Sequence, residues 1–195
     1  MAESLPRTLV VIALAAESDG VFEAAGVPTL YCGVGKVNAA ITLTRELSRY
    51  AQALQPRPLV VNFGTAGSRV HAAGSMVACH EFIQRDMDVR GLGFALGVTP
   101  FDALPPTLQF APVFTHLVPA VCGSGDSFAT AQTEVECGVV DMEAYALAKA
   151  CRLTGTAFAC AKYVTDGADH GAADDWQNNM RKAAAEFLNL YRTVQ

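Results

Sequence analysis

The amino-acid sequence predicts a single α/β domain spanning residues 1–195. Apolar runs rich in β-branched residues, typical of strands covered on both faces, recur at Thr8–Leu14, Leu59–Asn62 and Gly155–Val164. They alternate with stretches of helical pattern, among which Ala144–Ala150 has strong helix propensity. A chain of 195 residues with 51% hydrophobic residues can bury one sizeable core, and no repeat, linker or low-complexity tract divides it.

Charge and cysteine usage exclude several classes of function. The chain has 14 Lys and Arg against 19 Asp and Glu, a net charge of −5, and no basic cluster, which argues against nucleic acid and anionic membranes as partners. The six cysteines are scattered through apolar runs without CxxC pairs, so we interpret them as buried thiols of a cytoplasmic protein and expect no metal site. Leu9–Ala16 is too short to span a bilayer and lacks the pattern of a signal peptide.

The first two strands end at residues suited to a ligand. Glu17 follows the first apolar strand, at the edge where open α/β sheets bind their ligands; a solvated loop acid is the alternative interpretation. A second strand at Thr29–Cys32 leads into Gly33–Gly35 and a helix, a turn that can hold an anion or a sugar hydroxyl. This turn matches only the first half of the glycine motif that binds dinucleotides, because Asn38 stands at the third glycine position. We therefore do not predict NAD binding.

The middle of the chain combines a glycine-rich turn with a long irregular region. In the turn at Asn62–Ser68, Gly64 lets a ligand approach the backbone and the Thr65 hydroxyl is a hydrogen-bond donor; an ordinary tight turn is the alternative. Ser75–Asp88 is a long β-type segment that we expect to be antiparallel or strongly bent. Gly91–Pro119 is rich in Gly, Pro and Phe, so we expect no regular structure there, and such a loop often packs on a partner or closes a pocket.

Two more strand ends carry candidate ligand contacts. Phe128 lies in the turn after the strand Val118–Gly123, where it can stack on a flat heterocycle or belong to the core. Asp166 follows the apolar strand that ends at Val164, at the same sheet edge as Glu17. A final amphipathic helix is predicted over Asp174–Val194, with a core-facing stripe formed by Trp176, Met180, Ala184, Phe187 and Tyr191.

Glu143 is the acid around which the other motifs are arranged. Val139 and Val140 end a strand, Asp141 can cap the helix that follows, and Glu143 lies at the strand-to-helix junction. The positive end of the helix dipole favours a carboxylate there, so Glu143 is a candidate ligand clamp. The alternative is that Glu143 only decorates the first helical turn, where acids are favoured in any helix.

Five motifs in this order resemble those of a known superfamily: Gly33–Ala40, Asn62–Gly67, Ser124–Phe128, Val139–Ala144 and Tyr163–Asp169. They look like the purine nucleoside phosphorylase and nucleosidase superfamily, and within it they are most similar to the 5′-methylthioadenosine/S-adenosylhomocysteine nucleosidases. The resemblance implies a three-layer α/β/α fold with a central mixed, partly barrel-like sheet. It also implies an enzyme that binds a small purine nucleoside, needs no cofactor and works as a homodimer or larger homo-oligomer.

The resemblance assigns roles to particular residues. Glu143 would bind the ribose hydroxyls with Met142 packed against the sugar, and Asp166, oriented by Thr165, would protonate or hydrogen-bond N7 of the purine. Glu17 would position and deprotonate the attacking water. Phe128 would stack on the purine while the backbone of Ala129 reads its edge, and Pro100 would line the 5′-substituent pocket of a neighbouring subunit.

The nucleophile and the activity itself stay open at this point. Phosphorylases of this superfamily carry an arginine just before the glycine turn, where this chain has Asn62 and Phe63; Arg69 follows the turn instead. We therefore favour water over phosphate as the nucleophile. A non-catalytic nucleoside-binding module is a further alternative, although a pure binder has no need of both Glu17 and Asp166.

Overall fold

In the computed structural model, residues 5–131, 133–168, 179 and 182–194 are described. The chain forms the predicted α/β fold: strands and helices alternate at both ends of the chain, whereas five strands follow one another between residues 59 and 141. In chain order they are β1 Thr8–Ile12, α1 Ala15–Ser18, α2 Val21–Ala24, β2 Thr29–Tyr31, α3 Lys36–Gln52, β3 Leu59–Gly67, β4 Met76–Gln84, β5 Thr107–Gln109, β6 Val118–Ser124, β7 Val139–Asp141, α4 Ala144–Thr154, β8 Ala157–Asp166 and α5 Ala183–Tyr191.

The strands form one mixed sheet that closes on itself. Neighbouring strands pair around the ring β3, β7, β6, β4 and β8, and β8 returns to β3. From this five-stranded ring, β1 and β2 extend beside β3 in parallel, and β5 extends beside β4 in antiparallel orientation. The predicted mixed, partly barrel-like sheet is confirmed.

Helices cover both faces of the sheet. On one face, α3 and α4 bury Leu43 and Leu147 in a core that also contains the apolar residues of β4 and β6. On the other, α2 and α5 contribute Phe22 and Phe187, and the ring of Phe187 stacks on that of Phe63 with centroids 5.2 Å apart. Apolar residues alternate between these two cores along β1 and β3, which explains why the strands read as continuous apolar runs.

The third strand is longer than the sequence predicted, and the last strand, β8, begins and ends two residues later than predicted. The segment Phe63–Gly67 was predicted as a turn, but it continues β3, because it pairs in parallel with Ala161–Asp166 of β8. The polar residues Thr65 of β3 and Asp166 of β8 therefore lie together at one end of the ring. The prediction of a free glycine turn is wrong; Gly64 and Gly67 instead leave room for side chains of β8 that lie against this strand.

The remaining elements agree with the sequence in part. β4 is the long bent strand that was predicted: it is antiparallel to β8, parallel to β6, and irregular between Cys79 and Glu81. The short edge strand β5, within the segment expected to lack regular structure, was missed. Of the predicted C-terminal stripe, Ala184, Phe187 and Tyr191 are buried on α5. Trp176 and Met180 lie outside the described residues, as does Asp174, where the helix was predicted to begin.

Two observations bear on the expectations drawn from cysteines and hydropathy. Five of the six cysteines are buried free thiols and Cys137 is half-buried, which agrees with their interpretation as core residues. Among the described residues, no helix combines the length and apolar character that crossing a membrane requires.

Candidate active site

Glu17 is a buried carboxylate held by three hydrogen bonds. It lies on α1, immediately after β1, and only 4% of its surface is exposed. Its Oε1 accepts the backbone N–H of Thr65 at 2.9 Å and the Thr65 hydroxyl at 2.8 Å, while Oε2 accepts the N–H of Leu14 at 3.1 Å. The alternative of a solvated loop acid is wrong. Because Thr65 belongs to β3, these bonds tie Glu17 to the rim of the ring.

Glu143 is fixed by the glycine turn that follows β2. It lies between β7 and α4, where its Oε1 accepts the backbone N–H of Gly35 at 2.8 Å. Gly35 adopts a φ of 92°, a conformation that glycine reaches without strain. The turn that the sequence suggested as a free anion cradle therefore binds a carboxylate of the same chain.

The helix dipole was expected to favour the ionised form of Glu143, but the surroundings of this side chain raise its pKa instead. Burial, together with the nearby Asp141 carboxylate, raises the pKa of Glu143 to about 7, although Lys162 partly opposes this shift. Asp141 accepts the N–H of Ala144 at 2.9 Å, so it caps the start of α4 as the sequence predicted.

Asp166 ends β8 and is held from two sides. The Thr165 hydroxyl donates to its Oδ2 at 2.8 Å, and the backbone N–H of Ala168 donates to its Oδ1 at 2.9 Å. A Cβ atom at Gly67 would lie 2.6 Å from Asp166 Oδ1, so any side chain there would displace the carboxyl group. Gly67 is therefore needed for the position of Asp166.

The three acids Glu17, Glu143 and Asp166 line one cavity of about 210 Å³. The other candidate residues that line it are Gly64, Thr65, Phe128, Ala129 and Met142. Phe128 is 46% exposed, so the alternative that it belongs to the core is wrong. Thr165 is buried behind Asp166, and Pro100 does not line this cavity; its role in a neighbouring subunit stays a prediction.

A buried lysine beside the acids was missed by the sequence argument. Lys162 of β8 is 1% exposed, lines the cavity and forms an ion pair with Asp141 at 2.8 Å. Burial disfavours its charge, but Asp141 and the other acidic neighbours outweigh this effect and hold the pKa of Lys162 well above its usual value. Its Nζ lies 3.0 Å from where a Cβ of Gly64 would stand. A lysine within an otherwise apolar strand was the signal that could have revealed it.

Two arginines differ in their relation to the cavity. Arg85, the residue after β4, lines it and donates to the carbonyl groups of Gly125 and Ser127. Arg69 instead donates to the Ala168 carbonyl at 3.2 Å and lines a separate groove. Within the described parts of the chain, His, Cys, Asp and Glu side chains form no group of three that could hold a metal ion.

Comparison with known proteins identifies the family. The family model described as Phosphorylase superfamily matches residues 23–195. The chain belongs to the phosphorylase superfamily. This superfamily comprises enzymes that cleave N-glycosidic bonds of nucleosides, so the resemblance carried by the five sequence motifs is confirmed.

Relatives within the phosphorylase superfamily are distant but cover most of the chain. The 5′-methylthioadenosine/S-adenosylhomocysteine nucleosidase of Marinomonas sp. is 30% identical in an alignment 192 residues long that covers 88% of this chain and 80% of that protein. The nucleosidase of the same name from Geobacillus thermodenitrificans is 30% identical over 94% of this chain and 85% of its own length.

Solved structures agree with the fold. The 5′-methylthioadenosine/S-adenosylhomocysteine nucleosidase of Helicobacter pylori with butyl-thio-DADMe-Immucillin-A superposes with a TM-score of 0.82, at 20% identity over 98% of this chain and 99% of that one. A futalosine hydrolase mutant of the same organism gives a TM-score of 0.80, at 19% identity over 95% of this chain and 97% of that one.

Proposed function

We propose that the chain is a cytoplasmic purine nucleosidase. It hydrolyses the N-glycosidic bond of a 5′-modified purine nucleoside, such as 5′-methylthioadenosine or S-adenosylhomocysteine, and releases the free base and a ribose derivative. The observation that carries the proposal is the meeting of Glu17, Glu143 and Asp166, which are far apart in sequence, around one cavity. The names of the superfamily relatives support the substrate class.

The electrostatics of bond cleavage explain the need for three acids. Breaking an N-glycosidic bond develops positive charge on the ribose and negative charge on the departing base, so carboxylates beside the sugar and a proton donor beside the base both stabilise the transition state. Glu143 accepts hydrogen bonds from the ribose hydroxyls, and Met142 packs against the sugar. Asp166, held by Thr165, donates a proton to N7 of the purine.

Water is the nucleophile in this proposal. Glu17 accepts a proton from the water, with Thr65 fixing one carboxylate oxygen and the Lys162 ammonium nearby. The four carboxyl groups that line the cavity outnumber its two cations, Lys162 and Arg85, a balance that disfavours a phosphate dianion. Arg69 is bound to the Ala168 carbonyl, outside the cavity, which also favours hydrolysis over phosphorolysis.

In this proposal Phe128 and Ala129 form the base side of the cavity, and a second subunit closes its 5′ end. Phe128 stacks on the purine, and the Ala129 backbone reads its edge. We propose a homodimer or larger homo-oligomer in which Pro100 of one subunit closes the 5′ end of the other's cavity. The exposed side chains of Phe101, next to Pro100, and Leu92 support such a contact, since they are 96% and 72% exposed in the single chain. This scheme requires no cofactor.

Base release decides between the proposal and its alternatives. The full-length protein is incubated with a panel of purine nucleosides in the presence and absence of phosphate, and the base and sugar products are separated by chromatography. The proposal expects free base and unphosphorylated sugar at equal rates in both buffers. A ribose 1-phosphate product would show a phosphorylase, and binding without any base release would show a non-catalytic module.

A matched pair of variants links the activity to the site. Glu17→Gln should lose base release by about a hundredfold or more, the usual loss for a general base. Glu186→Gln makes the same chemical change at an exposed position of α5 and should keep the activity. Equal activity in both variants would refute the assignment of Glu17.

A further inference from the structure

The first turn of α3 binds two carboxylates from distant parts of the chain. The backbone N–H of Gly35 donates to Glu143 Oε1 at 2.8 Å. The next N–H, that of Lys36, donates to Asp126 Oδ1 at 2.7 Å. Gly35 precedes α3 and has no side chain that could bind these N–H groups itself. N–H groups at the start of a helix need acceptors from elsewhere, and the helix dipole favours carboxylates there. Glu143 and Asp126 therefore hold adjacent N–H groups.

The backbone of Gly35 depends on such contacts for its conformation. Its φ of 92° and ψ of 156° are one of many combinations open to glycine, so neighbouring groups have to select them. A Cβ atom on Gly35 would lie 3.1 Å from Asp126 Oδ1, so this carboxylate packs directly against the residue. The Asp126 carboxylate therefore fixes the backbone whose N–H binds Glu143.

Asp126 is itself held in place by the loop that follows β4. Its backbone N–H donates to Asp86 Oδ2 at 2.8 Å. The Lys36 ammonium lies 2.5 Å from Asp86 Oδ1 and 3.6 Å from Asp126 Oδ2, which closes a ring of contacts among the three residues. Partly exposed ion pairs of this kind contribute little to stability, so the effect of the ring is to restrict where the Asp126 carboxylate lies.

Asp126 acts on the cavity only through other residues. Glu143 lines the cavity, whereas Asp126 lies outside it, at a groove between α3 and α4. In the proposed function the Glu143 carboxylate binds the ribose hydroxyls, and the bond from Gly35 holds this carboxylate in place. A displacement of about 1 Å in a group that positions a substrate can lower the rate by about a hundredfold. The contacts from Asp126 through Gly35 to Glu143 therefore reach the sugar.

We infer that Asp126 is a positioning residue for ribose recognition, because its carboxylate fixes the Gly35 backbone that orients Glu143. This inference rests on the proposed nucleosidase function and deepens it, since it extends the sugar site to a residue that contacts neither sugar nor base. Loss of the Asp126 carboxylate should weaken recognition of the ribose hydroxyls and leave recognition of the base unchanged.

The test compares two substrates that differ only in the ribose hydroxyls. Base release from 5′-methylthioadenosine and from its 2′,3′-dideoxy counterpart is measured as kcat/KM for the wild type and for Asp126→Ala. The substitution should lower kcat/KM for the ribonucleoside roughly tenfold, because Glu143 is misaligned, and change the value for the dideoxy nucleoside by less than about twofold. Each variant is compared with the wild type on the same substrate, so the different reactivities of the two glycosidic bonds cancel.

Two further variants separate the hydrogen bond from the charge. Asp126→Asn keeps an oxygen that accepts the Lys36 N–H but loses the negative charge, so it should restore most of the activity on the ribonucleoside. Asp88→Ala removes a carboxylate whose side chain is 46% exposed, close to the 47% of Asp126, but which pairs with Arg90 instead of Lys36. It should leave the activity on both substrates unchanged.

Three kinetic results would overturn the inference. Asp126 precedes Phe128 by two residues, and if it only supports that turn, Asp126→Ala lowers kcat/KM for both substrates equally. Unchanged values for both substrates would show that Glu143 needs no such support. An Asp126→Asn variant as impaired as Asp126→Ala would show that the hydrogen bond to Lys36 is not the route.

Amide exchange decides the inference even if the proposed function fails. If the wild type releases no base from either substrate, the nucleosidase is refuted, and the free wild type and Asp126→Ala are compared by NMR with isotope-labelled glycine. The acceptor of the Gly35 N–H is Glu143, which Asp126→Ala leaves in place. Hydrogen exchange of the Gly35 amide that is faster by about tenfold in the variant is the expected result, because Asp126 no longer fixes this backbone. Unchanged exchange of the Gly35 amide would refute the inference.

Discussion

Replacing Glu143 by glutamine should stabilise the protein at alkaline pH while removing its activity. The amide keeps an oxygen that can accept the N–H of Gly35, so the local hydrogen bond is preserved. What disappears is a buried carboxyl group whose pKa is raised to about 7, mainly by burial. Such a group opposes folding whenever it must be ionised in the folded state.

The size of the effect follows from the pKa difference between the folded and unfolded states. Its folded-state pKa of about 7 lies above the unfolded value of 4.5. The stability that this group contributes is therefore present below pH 4.5 and is lost as pH rises through 7. The full difference corresponds to about 3 kcal/mol at alkaline pH, most of which is lost between pH 5 and pH 8.

Urea unfolding at pH 5 and pH 8 measures this loss. Between these pH values, we expect the wild type to lose roughly 2 to 3 kcal/mol more of its free energy of unfolding than Glu143→Gln does. Protein concentration is held constant, because any oligomer makes stability depend on it. Glu186→Gln on α5 is the matched exposed control and should behave like the wild type. Parallel pH dependences for the wild type and Glu143→Gln would refute the reasoning.

Three other substitutions test the remaining parts of the site. Asp166→Asn should lower kcat about a hundredfold or more with a small change in KM, because the proton donor to N7 is lost; near-normal turnover in a base-release assay would contradict its role. Lys162→Met should destabilise the fold by about 3 kcal/mol or more in urea unfolding, since it leaves Asp141 charged and buried; an unchanged midpoint would show that the ion pair contributes nothing. Gly64→Ala places a methyl group 3.0 Å from Lys162 Nζ, so kcat should fall roughly tenfold or more while the protein stays folded; unaltered kinetics would show that the position of the ammonium is unimportant.

The buried strands and the helix after Asp141 were predictable from local sequence. The β-branched apolar runs indicate buried strands and the Ala-rich segment indicates a helix, and each predicted element begins within two residues of its observed start. The extension of β3 to Gly67 could not be predicted in this way. Gly64 and Gly67 are typical of turns, and only their pairing with β8, nearly 100 residues later, makes them strand residues.

The sequence indicated which acidic residues form the site, but it did not indicate the pKa of Glu143 or the ion pair beside it. Strand ends indicated Glu17 and Asp166, and the sequence motifs placed Glu143 with them. The raised pKa of Glu143 depends on its burial and on Asp141, and the Lys162–Asp141 pair joins β8 to β7. Arg85 reaches the cavity only because β4 ends beside β6 in the closed ring. Such long-range neighbours leave no local pattern in the sequence.

The central claim is that three distant acids act on one purine nucleoside in one cavity. It is tested most directly by a crystal structure with a nucleoside analogue whose base is joined to the sugar by a carbon–carbon bond, which cannot be hydrolysed. We expect the ribose hydroxyls within hydrogen-bond distance of Glu143, N7 of the base beside Asp166, and a water molecule between Glu17 and C1′. A nucleoside bound elsewhere, or one in this cavity with its base directed away from Asp166, would contradict the claim.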